Sequence, residues 1–271
     1  MKLAFFSVLF LLLLAVGGSR GVKTFFTFFG SLVLIVAYVL LMSFGINAIL
    51  LAVITCVLAA FLSLYVLNGY NPKTKSSFIS VMTVLALVFV LIYSIGKTAN
   101  IHGYSMESVD SIGGFTFDIN YSMANVLIGM YLVCIVGTVI DTSISVSSAM
   151  NEVLENNPDI KDKELFKSGM NVGGDILSTT INTLFFTLVG TFIGFFMWHS
   201  GASAEFIINY KVFVCDLIQL LISFIGSILI IPITAHVASR ILLNQKPVDI
   251  PGLKQRFKQS RLYARLHHIS Q

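Results

Sequence analysis

Six times the chain runs through 18 or more residues that are almost wholly apolar, and once more, at the start, through a shorter stretch of the same kind. A bilayer core about 30 Å thick takes roughly 20 apolar residues to cross as a helix. In lipid only a helix satisfies its own backbone hydrogen bonds segment by segment. Such a chain therefore has little choice of fold. The runs fall at about 3–16, 24–44, 48–67, 78–95, 121–146, 176–198 and 212–238. Between them lie Gly17-Gly18-Ser19-Arg20, Asn68-Gly69-Tyr70-Asn71-Pro72 and the polar stretches 97–120, 147–170 and 199–211. Only 11% of the residues are charged, against roughly 25% in a soluble domain. The expectation is an all-α membrane protein of about seven transmembrane helices, with no soluble globular domain.

Basic residues orient it. The first, third and fifth loops and the tail together hold fourteen Lys and Arg, from Arg20 and Lys23 to Arg265; the other side holds only Lys2, Lys97 and Lys211. Positive residues stay in the cytoplasm, which predicts an N-terminus outside and a C-terminus inside. Lys2, the short apolar run and the small residues Ala15 and Gly17 also look like a signal peptide. Cleavage there would reverse the charge asymmetry, so a retained helix is expected. Four segments follow: 1–96, an N-terminal four-helix part; 97–120, an extracytoplasmic loop; 121–243, three helices with a cytoplasmic amphipathic linker; and 244–271, a basic tail.

Polar side chains inside spans each need a reason, because a central carboxylate costs about 2.5–3.5 kcal/mol even on the mild insertion scale. On a helical wheel Thr138, Asp141, Thr142, Ser145 and Ser148 share a stripe about 120° wide. In the next span Asn171, Asp175, Ser178 and Asn182 share one about 60° wide, with Thr179 beside it. The last span carries Asp216, Gln219, Ser223, Ser227 and Thr234, and is interrupted by Pro232. Three such stripes are expected to face one another or water. Single hydroxyls are accounted for by helix–helix hydrogen bonds, and Asp175 by a place near a helix N-terminus. Asp141 is the exception, since no Lys or Arg lies in a span core. It is the candidate to take and release a proton, with Thr142, Ser145, Asp175, Asn182 and Thr183 around it. Asn171, Ser178, Asp216 and Gln219 are further candidates along the same pathway.

Nothing in the spacing of Cys56, Cys134 and Cys215 or of the five histidines makes a metal site, and all three cysteines read as buried packing residues. Neither a cofactor nor a nucleic-acid partner is expected. No Ser/Lys, Ser/His or paired-carboxylate arrangement suggests an intramembrane enzyme. The carboxylates Glu107, Asp110 and Asp118 read as part of a solvated loop. Residues 151–170 read as an amphipathic helix opening at Asp162 or Asp159, with Leu165, Phe166 and Met170 free to lie on the membrane. The tail, mixing Lys254, Arg256, Lys258, Arg261 and Arg265 with Leu253, Phe257, Leu262 and Leu266, fits anionic lipid or a docking arm.

Several of these segments resemble the YibE/YibF-like family of bacterial multi-pass membrane proteins, in its short form. They are Asn68-Gly69-Tyr70-Asn71-Pro72-Lys73-Thr74, Asp141-Thr142-Ser143-Ile144-Ser145, and Leu165-Phe166-Lys167-Ser168-Gly169-Met170-Asn171-Val172-Gly173 leading to Thr180-Ile181-Asn182-Thr183. That resemblance implies a permease in the bacterial cytoplasmic membrane. More distantly, Asp141-Thr142, Thr180-Ile181-Asn182-Thr183 and Ile231-Pro232-Ile233-Thr234-Ala235 resemble parts of an RND-type module, that of SecF in particular. Thr179 stands where SecF has an arginine, and Ser147 and Ser148 replace its charged residues. The resemblance implies an RND-like bundle in the C-terminal half, working in pairs. A hetero-dimer with a longer YibE-like paralogue is expected ahead of a homo-dimer. The alternative is a non-transporting scaffold or assembly factor acting with such a partner.

Overall fold

The computed structural model describes residues 2–98, 122–199, 201 and 203–244, and among these there is no strand. The expectations for 97–120 and for the tail 245–271 thus lie almost wholly outside the described residues. Helix α1 (Lys2–Ser43) is followed by α2 (Ala48–Phe61), which runs on through a π-helical turn at Leu62–Val66, and by α3 (Pro72–Thr98). Then come α4 (Met123–Asn156), α5 (Asp162–Trp198), the short α6 (Ala204–Asn209) and α7 (Lys211–Asn244). Among the described residues six helices are long and apolar enough to cross a membrane: α1 to α5 and α7.

The first is not straight. Gly18 has φ 52° and ψ −130°, a conformation open to glycine alone at little cost. The rings of Phe10 and Phe25 come within 4.8 Å of each other, and those of Phe6 and Phe29 within 6.2 Å. Fifteen residues of continuous helix would hold Phe10 and Phe25 about 22 Å apart. The two arms therefore fold back on each other, at the Gly17-Gly18-Ser19-Arg20 break seen in the sequence. Gly21 lies directly against the Leu13 carbonyl, where any side chain would collide with backbone.

Helix α4 is central. It packs against α2, α3, α5 and α7, while α1 lies mainly on α2 and its π turn and reaches α4 through Tyr38 at Gly129. Ile128, Tyr131, Leu132, Ile135, Val136, Val139 and Ile140 form its share of the main core, which also takes in Leu64, Val81, Val84, Val88 and Ile92 of α2 and α3 and Ile222, Ile230 and Ile231 of α7. A second cluster joins Val146 and Met150 of α4 to Leu165 of α5 and to Ala235, Ala238 and Leu242 of α7.

That second cluster changes the reading of 151–170. Helix α5 does open at Asp162, where Asp162 and Glu164 favour the helix N-terminus, but it continues unbroken to Trp198. Leu165 is fully buried inside the bundle and Phe166 is packed beside it, so only Met170 is left exposed. Leu165 has an apolar pocket available on α4 and α7, and filling it leaves no apolar stripe for a membrane surface. The sequence expectation also made all three cysteines buried. Cys56 is, with its thiol reaching the Leu132 carbonyl at 3.5 Å, whereas Cys134 is exposed and Cys215 half-buried.

Candidate functional site

Polar side chains at mid-span fall into two sets. The first is dry and belongs to α3, α4 and α7. Ser143 exchanges hydrogen bonds with the Ser77 backbone and side chain, its Oγ donating to the Ser77 carbonyl at 3.3 Å and its own carbonyl accepting from Ser77 Oγ at 3.2 Å. Ser143 Oγ also lies 3.0 Å from Thr234 Oγ1. One turn on, Ser147 Oγ lies 2.7 Å from Ser76 Oγ and donates to the Lys73 carbonyl at 2.9 Å. Ser76, Ser77, Ser80, Ser143, Ser147 and Thr234 are all buried. Interhelical bonds of this kind average about 0.6 kcal/mol each, so the seam contributes on the order of 3 kcal/mol. It joins helices, and its hydroxyls are buried away from any solute. The wheel stripes overlooked it, although Ser76-Ser77 and Ser80 at the start of the fourth span were a visible small, polar face.

The second set is open. Asp141 and Ser145 on α4 are exposed, with Thr138 and Ser148 half-buried. On α5, Asn171, Asp175, Ser178, Thr179, Asn182 and Thr183 are exposed as well. The α5 stripe and part of the α4 stripe are thus open rather than buried in the bundle. Thr142 is the one relay candidate that is buried, and on α7 Asp216 and Gln219 are half-buried while Ser223, Ser227 and Thr234 lie inside. The cause is steric and electrostatic. Two residues on from Asp141, Ser143 points about 200° away, and a small hydroxyl can enter a dry seam and find a carbonyl there. A carboxylate has no equivalent solution.

Depth follows from the helix pairing. Gly169 of α5 packs against Met150 of α4, and the two helices are antiparallel across the 157–161 turn. Nine residues farther along each, Asp141 lies level with Ser178. It stands about 22 Å from the end of α4 at Asn156, deep within the membrane-length part. Among the described residues no hydrogen bond or ion pair reaches its carboxylate. Asp175 lies about 5 Å nearer the turn. Asp216 sits elsewhere, next to Cys215, whose carbonyl accepts the Tyr131 hydroxyl at 3.3 Å. The described residues contain no group of His, Cys, Asp and Glu able to hold a metal ion.

Among the described residues one buried side-chain polar atom has no partner: the hydroxyl of Tyr38, a residue 8% exposed. It is wedged against Gly129 of α4, at a point where a Cβ would meet it 2.6 Å away. A buried hydroxyl without a hydrogen bond costs about 1–3 kcal/mol. Tyr38→Phe is therefore expected to be neutral or to stabilise the protein by about 1 kcal/mol, read as an unchanged or raised melting temperature in detergent. A clear loss of stability would mean that the hydroxyl is hydrogen-bonded after all.

The six apolar, membrane-length helices among the described residues, three of them joined by a buried hydroxyl seam, define a multi-pass, membrane-embedded helical protein. The chain belongs to the YibE/F-like protein family, which matches residues 5–244. No curated protein and no solved structure matches it.

Proposed function

We propose that the chain is a subunit of a membrane permease in which Asp141 takes up and releases the coupling proton. The observation that carries this is the position of that carboxylate: exposed, midway along a membrane-length helix, and without a cation or hydrogen-bond donor among the described residues. Holding it there costs about 2.5–3.5 kcal/mol, a cost that helix packing does not explain, since packing is served by the α3–α4–α7 seam. Thr142 and Ser145 flank it on α4. Asp175, Ser178, Asn182 and Thr183 present polar groups at and around the same level on α5. Asn171 extends that line toward the turn, and Asp216 and Gln219 occupy the other end of α7.

In this reading the two arms of α1 count as separate crossings, giving seven, with the N-terminus outside and the tail inside. The fourteen-to-three division of basic residues supports that orientation. The RND-like arrangement of α4, α5 and α7 is supported by the SecF-like segments alone. A scaffold role is the second reading, favoured by the buried seam, whose hydroxyls serve helix packing.

Proteoliposomes separate the two. With a pH step across the membrane, the wild-type protein is expected to take up protons, and Asp141→Asn to lose at least nine-tenths of that uptake while eluting as a single folded species. Equal uptake by both proteins, or none by either, would leave the scaffold reading.

A further inference from the structure

Residues 1–98 contain no Asp or Glu, yet Arg20, Lys23, Lys73 and Lys75 collect at one end of them. The second arm of α1 and α2 run antiparallel across the 44–47 turn, and a Cβ on Gly30 would stand 3.5 Å from Leu62. From that pairing Lys23 and Arg20 lie about 10 and 15 Å toward the end of α2, where the chain turns into Lys73 and Lys75. Helices α1 and α3 both touch the π turn of α2 and do not touch each other, so the turn separates the two basic pairs. All four cations sit just outside the apolar runs 24–44 and 78–95, at headgroup depth. Arg20, Lys23 and Lys75 are exposed and Lys73 is half-buried. Among the described residues no ion pair reaches any of them.

The carboxylates of this end stand farther out. Ser147 of α4 is level with the Lys73 carbonyl that it bonds, and Glu152 and Glu155 lie about 8 and 12 Å beyond it. Asp159, Asp162 and Glu164 follow around the turn, with Lys161, Lys163 and Lys167 among them. The α4–α5 hairpin thus compensates its own lysines and leaves the four cations beside α2 uncompensated.

Between the basic pairs the loop is held rigid. Gly69 has φ 74°, the Asn71 N–H donates to Thr74 Oγ1 at 2.9 Å, and Asn68 Nδ2 donates to the Ser63 carbonyl at 3.2 Å. Tyr70 is 78% exposed, and its ring is stacked on Tyr65 at 5.7 Å and 17°. Tyr65 in turn lies 5.3 Å from Phe61. These three rings form a ladder from the loop to the open apolar face of α2, where Ile54, Leu58 and Phe61 are exposed at helical spacing.

We propose that this end of α1–α3 binds an anionic phospholipid. Its phosphate is taken by Lys73 and Lys75 beside Tyr70, with Arg20 and Lys23 adding positive charge from across the π turn. Its acyl chains lie along Ile54, Leu58 and Phe61. Tyrosine suits the boundary between the two, because its ring is apolar and its hydroxyl wet. Lysine stems can cover apolar surface while their ammonium groups reach the phosphates. Selection for a negative headgroup follows from the missing carboxylates: nothing in residues 1–98 can receive the ammonium of a zwitterionic one. The proposal needs neither the proton reading nor a choice of which side of the membrane this end faces.

The test places the full chain in nanodiscs of phosphatidylethanolamine containing increasing amounts of phosphatidylglycerol. Native mass spectrometry then counts the lipids retained on the released protein. Phosphatidylglycerol should be retained in preference to phosphatidylethanolamine. Lys73→Gln with Lys75→Gln should lower that retention about thirtyfold, at about fivefold per lysine, with an unchanged melting temperature. Lys73→Arg with Lys75→Arg should keep it, and so should Lys161→Gln with Lys163→Gln on the hairpin. Glycerol phosphate at the same concentration should not displace the lipid, because it lacks the chains that lie on α2. Retention that ignores Lys73 and Lys75, or that falls equally in the hairpin variant, overturns the proposal. Displacement by glycerol phosphate or by an acidic peptide would mark a site for a soluble anion and overturns it as well.

Discussion

Gly173→Leu is expected to leave almost no folded protein, while Gly174→Leu, one residue along, folds as well as the parent. At position 173 a side chain would meet Ile231 of α7, first at its Cγ2 methyl. That methyl sits on a β-branched carbon, and a β-branched residue within a helix has essentially one rotamer, so Ile231 cannot swing aside. Ile231 is itself 4% exposed and part of the main core, so the strain passes on to α3 and α4. Overpacking by a methylene or two costs about 1–3 kcal/mol. Four carbons forced between two helices exceed that and approach the whole stability of a domain, about 5–15 kcal/mol. Gly169→Leu should be milder, because the atom it meets first is the thioether of Met150, the end of a flexible side chain. At position 174 the space is open, and the fold is expected to be unchanged. Size-exclusion profiles and melting curves of the three variants give the order directly. If Gly173→Leu melts with Gly174→Leu, α5 does not lie on α7 as described.

Much of this architecture could be read from residues, and the reason is the bilayer. A 20-residue apolar requirement fixes where helices are, so the starts at Pro72 and Asp162 and the bend at Gly18 stood close to visible breaks. What residues could not tell was which side of each helix faces in. In water an apolar stripe marks the core, but in lipid the core-facing Ile135 of α4 and the exposed Val90 of α3 are equally apolar. The wheel grouped Thr138, Asp141, Thr142 and Ser145, on the rule that polar groups in a span face one another or water, and could not say which of them lie inside. In the structure Thr142 is buried together with Ser143 and Ser147, Thr138 is half-buried, and Asp141 and Ser145 are left uncovered. The pairing of α3 with α4 through Ser76 and Ser77 was illegible for a related reason. Hydroxyls in a span can bond back to their own helix, as Ser80 does to the Ser76 carbonyl at 2.8 Å, and nothing in spacing distinguishes these from bridging ones.

Asp141→Leu should raise stability and abolish function at once. An exposed carboxylate at lipid depth, with no donor among the described residues, is a burden on the fold of about 2.5–3.5 kcal/mol on the insertion scale. Leucine at that position faces lipid as readily as the exposed Leu87 of α3 does. It has open space around it, since the neighbouring Gly137 has nothing within 4 Å of its own Cβ position. The gain in the isolated chain is therefore expected at about 2 kcal/mol, somewhat below the full figure because water follows a carboxylate into the bilayer. It would appear as a melting temperature several degrees higher in detergent or nanodiscs. Proton uptake in the same preparation should fall to background. Groups kept at a cost to stability are typical of working sites, so the opposite signs are informative together. A static structural role for Asp141 predicts the reverse pairing, with stability lost by about 1–3 kcal/mol as its partners are left unbonded and with no activity to lose. Asp175→Leu supplies the comparison within the same chain. Its carboxylate lies about 5 Å nearer the end of its helix, where water is closer, so its gain in stability should be smaller than that of Asp141→Leu.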